Sequence, residues 1–194
     1  MSAIIQYEVP TWNQIYDMLL DQAQKIRGDG YKPDIIIGIA RGGLVAARIL
    51  SDLLETPELA IIQIEYYLSI AKPRQEPILK QGLSTPVTGQ KTLLVDDVSD
   101  TGKSLQLGKK HLQQQGAKEI KTATLYAKPQ TITKPDYCEK QTSRWIVFPW
   151  DAKETVRKII QKQEGKRAAG KEITKLVKAG LPKQLAKKFL KDMQ

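Results

Sequence analysis

The sequence predicts an α/β protein with a mostly parallel sheet, because apolar runs of strand length alternate with segments of helical periodicity. The run PDIIIGIA, residues 33–40, is unbroken, as is typical of a strand buried on both faces of a sheet. The glycine turn RGG at 41–43 follows it, and LVAARILSDLLE at 44–55 then repeats apolar residues at helical spacing. This order of strand, tight turn and helix is the building unit of a parallel sheet covered by helices.

Other segments continue the alternation. Residues 11–30 predict an amphipathic helix, with Thr11 as a candidate N-cap and glycines at its end. Residues 68–90 contain three prolines and two glycines without a clear period. We expect a mobile active-site loop there, the alternative being a static excursion of the chain. Strands are predicted at 58–67, 91–97 and 120–128, a strand or extended segment at 144–150, and a further helix at 104–116.

The net charge of +10 is concentrated at the C-terminal end of the sequence. Residues 152–194 hold 13 of the 31 basic and 4 of the 21 acidic residues, a net charge of +9, whereas residues 1–151 are nearly neutral. We expect one domain over residues 1–151 and a Lys-rich extension of two or three short helices over residues 152–194. The extension fits a helical cap on the domain or on another subunit, a nucleic-acid-binding surface, or a segment that binds a membrane surface.

Composition excludes several other classes of site. Cys138 is the only cysteine, so no internal disulfide forms, and His111 is the only histidine, so no His/Cys cluster for zinc exists. The sequence has no apolar run long enough to span a bilayer, and its first residues do not resemble a secretory signal. We therefore expect a cytoplasmic protein.

The stretch TLLVDDVSDTGKSL, residues 92–105, has three acidic residues and several hydroxyl residues at the end of a predicted strand. In an open parallel sheet, ligands bind beyond the carboxyl ends of the strands, where helix N-termini favour anions. The turn at 100–104 could wrap a phosphate monoester with its backbone N–H groups and hydroxyls, or it could simply cap the following helix. The acids Asp96 and Asp97 would repel a phosphate unless they face hydroxyls or a hard cation. A ribose phosphate satisfies both requirements. The spacing is not that of a P-loop.

This stretch resembles the phosphoribosyl diphosphate (PRPP) signature of type I phosphoribosyltransferases, in which two acids, two residues and Asp-Thr-Gly-x-[Ser/Thr] follow apolar residues. The resemblance implies a flavodoxin-like, mostly parallel sheet with a small hood built from the chain ends. It also implies Mg²⁺ as cofactor, with Asp97 as metal ligand, Asp96 on a ribose hydroxyl and Asp100 as general base near the purine N7. The implied PRPP-binding residues in this stretch are Asp96, Asp97, Val98, Ser99, Asp100, Thr101, Gly102, Lys103 and Ser104.

The segment IIIGIARGGLVAA, residues 35–47, resembles the pyrophosphate loop of the same family, whose exposed backbone grips the leaving diphosphate. The resemblance places Ala40, Arg41, Gly42 and Gly43 in this loop. It also implies a cis peptide between Ala40 and Arg41. Arg74, in the 68–90 loop, is a further candidate for diphosphate contact.

The segments LYAKPQ at 125–130 and SRWIVFPWD at 143–151 resemble the base-binding part of the 6-oxopurine branch. The resemblance implies that Lys128 donates to the purine 6-oxygen, that Trp145 stacks on the ring and that Ile146 contacts the base edge through its backbone. An ammonium suits a 6-oxo group and not the 6-amino group of adenine. Without the resemblance, Lys128 reads as a solvated turn lysine and Trp145 as a core aromatic. Val147 stands where xanthine-preferring members carry an acid.

The resemblance implies a salvage enzyme that transfers 5-phosphoribose from PRPP to hypoxanthine, guanine or xanthine and releases diphosphate. The alternatives are a PRPP-sensing regulatory protein that binds nucleic acid, and an adenine phosphoribosyltransferase. Family members are commonly dimers or tetramers, so we expect a homo-oligomer. Nucleic acid is a further candidate partner, through the basic extension.

Overall fold

The computed structural model describes residues 5–67, 76–162 and 166–193, so Arg74 and part of the predicted 68–90 loop lie outside the described residues. The chain forms two compact units, Tyr16–Thr142 and a second unit that joins Met1–Ile15 to Ser143–Gln194. In chain order, the elements are β1 (Tyr7–Glu8), α1 (Trp12–Gly28), β2 (Ile35–Ala40), α2 (Gly43–Leu53), β3 (Leu59–Tyr67), β4 (Glu76–Gln81), β5 (Lys91–Ser99), α3 (Lys103–Gln114), β6 (Glu119–Ala127), β7 (Tyr137–Gln141), β8 (Trp145–Ile146), α4 (Ala152–Lys162), α5 (Lys166–Lys178) and α6 (Lys183–Lys191).

The larger unit is built on a six-stranded sheet with the strand order β4-β3-β2-β5-β6-β7. All neighbouring strands run parallel except β3 and β4, which are antiparallel. Every residue of β2 is buried, as its unbroken apolar sequence predicts for a central strand. One part of the core fills the space between the sheet and α3, where Leu105 and Leu112 pack with Ile37, Ile62 and Leu94.

The predicted α/β class and mostly parallel sheet are confirmed. Two edge strands, β4 and β7, were not predicted. β4 lies inside the predicted 68–90 loop; it contains Pro77 and is only half-buried or exposed along its length, so its sequence lacks the apolar pattern of a core strand. β7 is short and becomes more exposed toward its end. Both strands are stabilised by pairing with a neighbouring strand, and the local sequence pattern does not reveal this pairing.

The smaller unit joins a two-stranded parallel sheet, β1 with β8, to the helices α4, α5 and α6. Its core contains Tyr7 and Val147 from the strand segments together with Val156, Ile173 and Leu176 from the helices. The prediction of two or three short basic helices is thus confirmed, and their apolar faces pack into the core of this smaller unit. A domain boundary at residue 152 stays a prediction.

A buried polar contact ties α5 to β1. The Tyr7 hydroxyl donates to Glu172 Oε1 at 2.7 Å, and Lys175 Nζ lies 2.8 Å from Glu172 Oε2. Burial and the adjacent carboxylate raise the pKa of Tyr7. Burial alone would raise the pKa of Glu172, but the hydrogen bonds from Lys175 and Tyr7 hold it below its usual range. Among the described residues, no helix is long and apolar enough to cross a membrane.

Candidate active site

A cleft of about 200 Å³ opens at the carboxyl end of β5. β5 and β2 are parallel neighbours, and the turns after both strands lead into helices α2 and α3. This is the position at which open parallel sheets bind ligands. The residues that line the cleft are Tyr66, Asp96, Asp97, Val98, Ser99, Asp100, Gly102, Ser104 and Leu105.

The two acids at the end of β5 have different environments. Asp96 is buried and its Oδ1 accepts a hydrogen bond of 2.9 Å from the backbone N–H of Asp97. Burial, together with the neighbouring charge of Asp97, raises the pKa of Asp96 well above its usual range. Burial thus disfavours the charged form of Asp96, whereas Asp97 is only half-buried.

The glycine turn after β2 lies directly against these acids. The peptide bond between Ala40 and Arg41 is cis, as the resemblance implied. A Cβ at Gly42 would lie 2.1 Å from Asp97 Oδ2, and a Cβ at Gly43 would lie 2.3 Å from the carbonyl oxygen of Val95. Glycine at both positions therefore lets the backbone of this turn approach β5, which brings the predicted pyrophosphate loop to the predicted ribose-binding acids.

The turn between β5 and α3 has the form expected of a phosphate-binding loop. Gly102 has a φ of 81°, a left-handed conformation that favours glycine, and α3 begins at the next residue. The backbone N–H groups at the start of this helix carry partial positive charge, which suits an anion. Lys103 Nζ forms an ion pair with Glu76 Oε1 at 2.7 Å.

The segment that follows β6 is bound to this loop by a set of hydrogen bonds. The backbone N–H of Lys128 donates to the Ser99 carbonyl at 2.9 Å, and that of Ile132 donates to the Thr101 carbonyl at 3.0 Å. The Ser99 and Thr131 hydroxyls lie 2.7 Å apart. Gln130 Nε2 donates to Asp100 Oδ1 at 2.8 Å, so the candidate general base is held by a residue two positions after Lys128.

The two candidate purine-binding side chains differ from what their local sequence predicts. Lys128 is 7% exposed, whereas a turn lysine is ordinarily solvated. Trp145 is 56% exposed, whereas a tryptophan in an apolar run is ordinarily part of a core. Trp145 and the buried Ile146 form β8 in the smaller unit, and Lys128 belongs to the larger unit.

Sequence reasoning missed two polar residues of the site, Tyr66 and Gln130. The Tyr66 hydroxyl lies 3.1 Å from Thr101 Oγ1 and accepts a hydrogen bond of 3.2 Å from Ser104 Oγ. Tyr66 could have been found from its place at the end of the predicted strand 58–67, because Asp96 also lies at the carboxyl end of a predicted strand. Gln130 carried no separate signal, because its role depends on the fold of the turn after β6.

Three comparisons with known proteins agree with this geometry. Residues 8–156 match the family model described as "Phosphoribosyl transferase domain". A xanthine-guanine phosphoribosyltransferase from Nitratidesulfovibrio vulgaris is 31% identical over 145 residues, which cover 73% of this chain and 83% of the relative.

Solved structures agree as well. A purine phosphoribosyltransferase from Pyrococcus horikoshii superposes with a TM-score of 0.68 at 38% identity, covering 75% of this chain and 95% of that one. A hypothetical protein from Neisseria gonorrhoeae, solved with bound ppGpp, superposes with a TM-score of 0.69 at 26% identity, covering 76% and 90%. The predicted resemblance to the 6-oxopurine branch is thereby confirmed, and the chain belongs to the phosphoribosyltransferase family.

Proposed function

We propose that this protein transfers 5-phosphoribose from PRPP to a 6-oxopurine and releases diphosphate. The observation that carries the proposal is the meeting of three features at the carboxyl ends of β2 and β5: the acids Asp96 and Asp97, the turn at 100–104, and the glycine turn at 41–43. The relatives named as xanthine-guanine and purine phosphoribosyltransferases support a purine as acceptor. They do not favour a PRPP-sensing regulatory protein or an adenine-specific enzyme.

The cleft suits ribose 5-phosphate in one orientation. The 5-phosphate lies in the turn at 100–104, where backbone N–H groups and the hydroxyls of Thr101 and Ser104 supply donors. The ribose hydroxyls then reach the end of β5. The carboxyl group of Asp96 holds one ribose hydroxyl by a hydrogen bond, and the carboxyl group of Asp97 accepts one.

The leaving diphosphate is assigned to the turn after β2. The backbone at Arg41, Gly42 and Gly43 lies at the start of α2, and the close approach at Gly42 brings it beside Asp97. Donors already in place at a helix start stabilise the negative charge that develops on the departing diphosphate oxygen, without reorganisation during the reaction. That Arg74 also contacts the diphosphate stays a prediction.

The donor set fits Mg²⁺ when substrate completes the coordination. Among the described residues, no group of three or more His, Cys, Asp and Glu side chains is arranged to hold a metal alone. Asp97, beside Asp96, supplies a hard carboxylate oxygen, and Mg²⁺ commonly takes one or two such ligands with the rest from phosphates and water. The bound ion would neutralise charge on the diphosphate.

For the purine, we assign to Lys128, in the segment after β6, the hydrogen bond to the 6-oxygen of the base. The stacking role of Trp145 and the backbone contact of Ile146 stay predictions from the resemblance. The bond from ribose C1 to the diphosphate oxygen breaks as the bond from C1 to a purine nitrogen forms, and the proton of the purine passes to Asp100. Gln130 holds the Asp100 carboxylate in one orientation, which favours this transfer.

Nucleotide formation tests the proposal directly. The purified protein is incubated with PRPP and Mg²⁺ and offered hypoxanthine, guanine, xanthine, adenine or orotate separately. We expect nucleotide from at least one 6-oxopurine and none from adenine or orotate. PRPP binding without turnover of any base would refute the enzyme and favour a sensor.

Assembly as a homo-oligomer, a cytoplasmic location and nucleic-acid binding through the extension stay predictions.

On α6, Lys183 and Lys187 lie one turn apart and both are exposed. If this face binds single-stranded RNA, Lys183→Gln/Lys187→Gln should weaken binding and reduce the slope of log K against log salt by about 1 to 2. Lys110→Gln, an exposed position on α3, is the matched control. An unchanged slope in the double variant would remove this face of α6 as an RNA-binding surface.

A further inference from the structure

Three hydroxyl groups meet above the phosphate-binding turn. The Tyr66 hydroxyl lies 3.1 Å from Thr101 Oγ1 and 3.2 Å from Ser104 Oγ, and the Ser104 hydroxyl is the donor in the second contact. Thr101 and Ser104 flank the left-handed Gly102 at the start of α3. The tyrosine hydroxyl therefore occupies the same small region as the two side chains that the proposed function places on the 5-phosphate.

The three hydroxyls carry three protons, but their two mutual hydrogen bonds use only two of them. One proton therefore points to an acceptor that the three groups do not provide. Within the part of the chain that the structure describes, none of these hydroxyls donates to a carboxylate. A phosphate monoester has three acceptor oxygens with negative charge, and it satisfies such a set of donors.

The position of Tyr66 is set by the sheet. Tyr66 lies near the end of β3 and pairs with Pro77 of β4, so the two strands carry it to the phosphate-binding turn. Glu76, the first residue of β4, forms the ion pair with Lys103 in the same turn. Two contacts from the β3–β4 pair thus reach residues 101–104. The tyrosine side chain is 42% exposed and lines the cleft, so its hydroxyl is accessible to a ligand.

We propose that Tyr66 is a substrate-binding residue whose hydroxyl donates a hydrogen bond to the 5-phosphate of the phosphoribosyl substrate. When the phosphate enters, the protons of Thr101 and Ser104 turn to its oxygens and the Tyr66 proton adds a third side-chain donor. The inference rests on the proposed function and adds a contact that favours phosphorylated over unphosphorylated sugars.

Tyr66→Phe tests the inference, because it removes the hydroxyl and keeps the ring. Calorimetry measures the binding of ribose 5-phosphate and, separately, of diphosphate with Mg²⁺; steady-state kinetics measures turnover. We expect the Kd for ribose 5-phosphate and the KM for PRPP to rise about 10-fold, the loss typical of one hydrogen bond to a charged acceptor. Diphosphate binding, the KM for the purine and kcat should not change, because the contact binds ground state and transition state equally.

Tyr16→Phe is the matched control, since Tyr16 is an exposed tyrosine on α1 that does not line the cleft. Unchanged ribose 5-phosphate binding by Tyr66→Phe would overturn the inference, and tighter binding would show instead that the hydroxyl competes with the phosphate. Equal losses for ribose 5-phosphate and diphosphate would point to a distorted cleft and would also overturn it. If the unmodified protein binds neither ribose 5-phosphate nor PRPP, the proposed function itself fails.

Discussion

Substitution of Gly102 tests how the turn at 100–104, which we propose binds the 5-phosphate, is held in place. The φ of 81° at Gly102 is unfavourable for alanine, and a Cβ there would lie 2.5 Å from the backbone nitrogen of Thr133 and 2.6 Å from Thr131 Oγ1. Such distances are shorter than any van der Waals contact, so Gly102→Ala must move the segment that follows β6. The same segment begins at Lys128 and is held to the turn by hydrogen bonds. The substitution should therefore damage stability and ligand binding together.

The loss has two parts. The left-handed conformation costs an alanine about 1 kcal/mol relative to glycine. Moving residues 131–133 also breaks the Ser99–Thr131 hydroxyl contact, the Ser99 bond to the Thr133 carbonyl and the bond from Ile132 to Thr101. At about 1 kcal/mol for each hydrogen bond, these add about 3 kcal/mol. Gly102→Ala should thus lower the free energy of unfolding by about 4 kcal/mol, which corresponds to about 8 to 16 °C in Tm for a chain of this size.

Gly89→Ala is the matched control, because Gly89 has a φ of 75° but no atom within 4 Å of an added Cβ. In this variant the free energy of unfolding should fall only by the cost of the left-handed backbone conformation, about 1 kcal/mol. Thermal unfolding of both variants, with and without ribose 5-phosphate, measures the difference. We expect Gly102→Ala to lose the stabilisation by ligand and Gly89→Ala to keep it. If the two variants unfold within about 2 °C of each other, the packing of the 131–133 segment on Gly102 does not contribute as described.

Other substitutions separate the remaining roles. Lys128→Met should raise the KM for the 6-oxopurine far more than the KM for PRPP, and equal increases would remove its role on the base. Asp100→Asn should lower kcat while PRPP binding is retained, and turnover equal to that of the unmodified protein would exclude Asp100 as the base. Glu172 has a lowered pKa, so its contribution to stability is complete above its ordinary pKa and is lost as the pH falls through the lower folded value. Acid unfolding monitored by circular dichroism should therefore show a smaller loss in that range for Glu172→Gln, and identical pH profiles would contradict this.

The parts of the fold that could be predicted are those whose local sequence is strongly biased. β2 and β5 are central strands, buried on both faces, so their unbroken apolar runs identify them. The acids at the end of β5 and the glycines after β2 could be placed at one sheet edge, because carboxyl ends of parallel strands meet there. β4 and β7 escaped prediction, since an edge strand that is half exposed depends on its neighbour more than on its own residues.

By itself, the sequence determined the α/β class, the position of the glycine-containing turn at 100–104 and the identity of the acids beside it, because each depends on residues close together in the chain. Only the tertiary structure decided the pKa values, the orientations and the long-range contacts of the side chains in the cleft. The pKa of Asp96 is raised by burial, Gln130 orients Asp100, and the Tyr66 hydroxyl reaches Thr101 across 35 positions in the sequence. Burial and long-range hydrogen bonds belong to the packed sheet as a whole, and no local pattern encodes them.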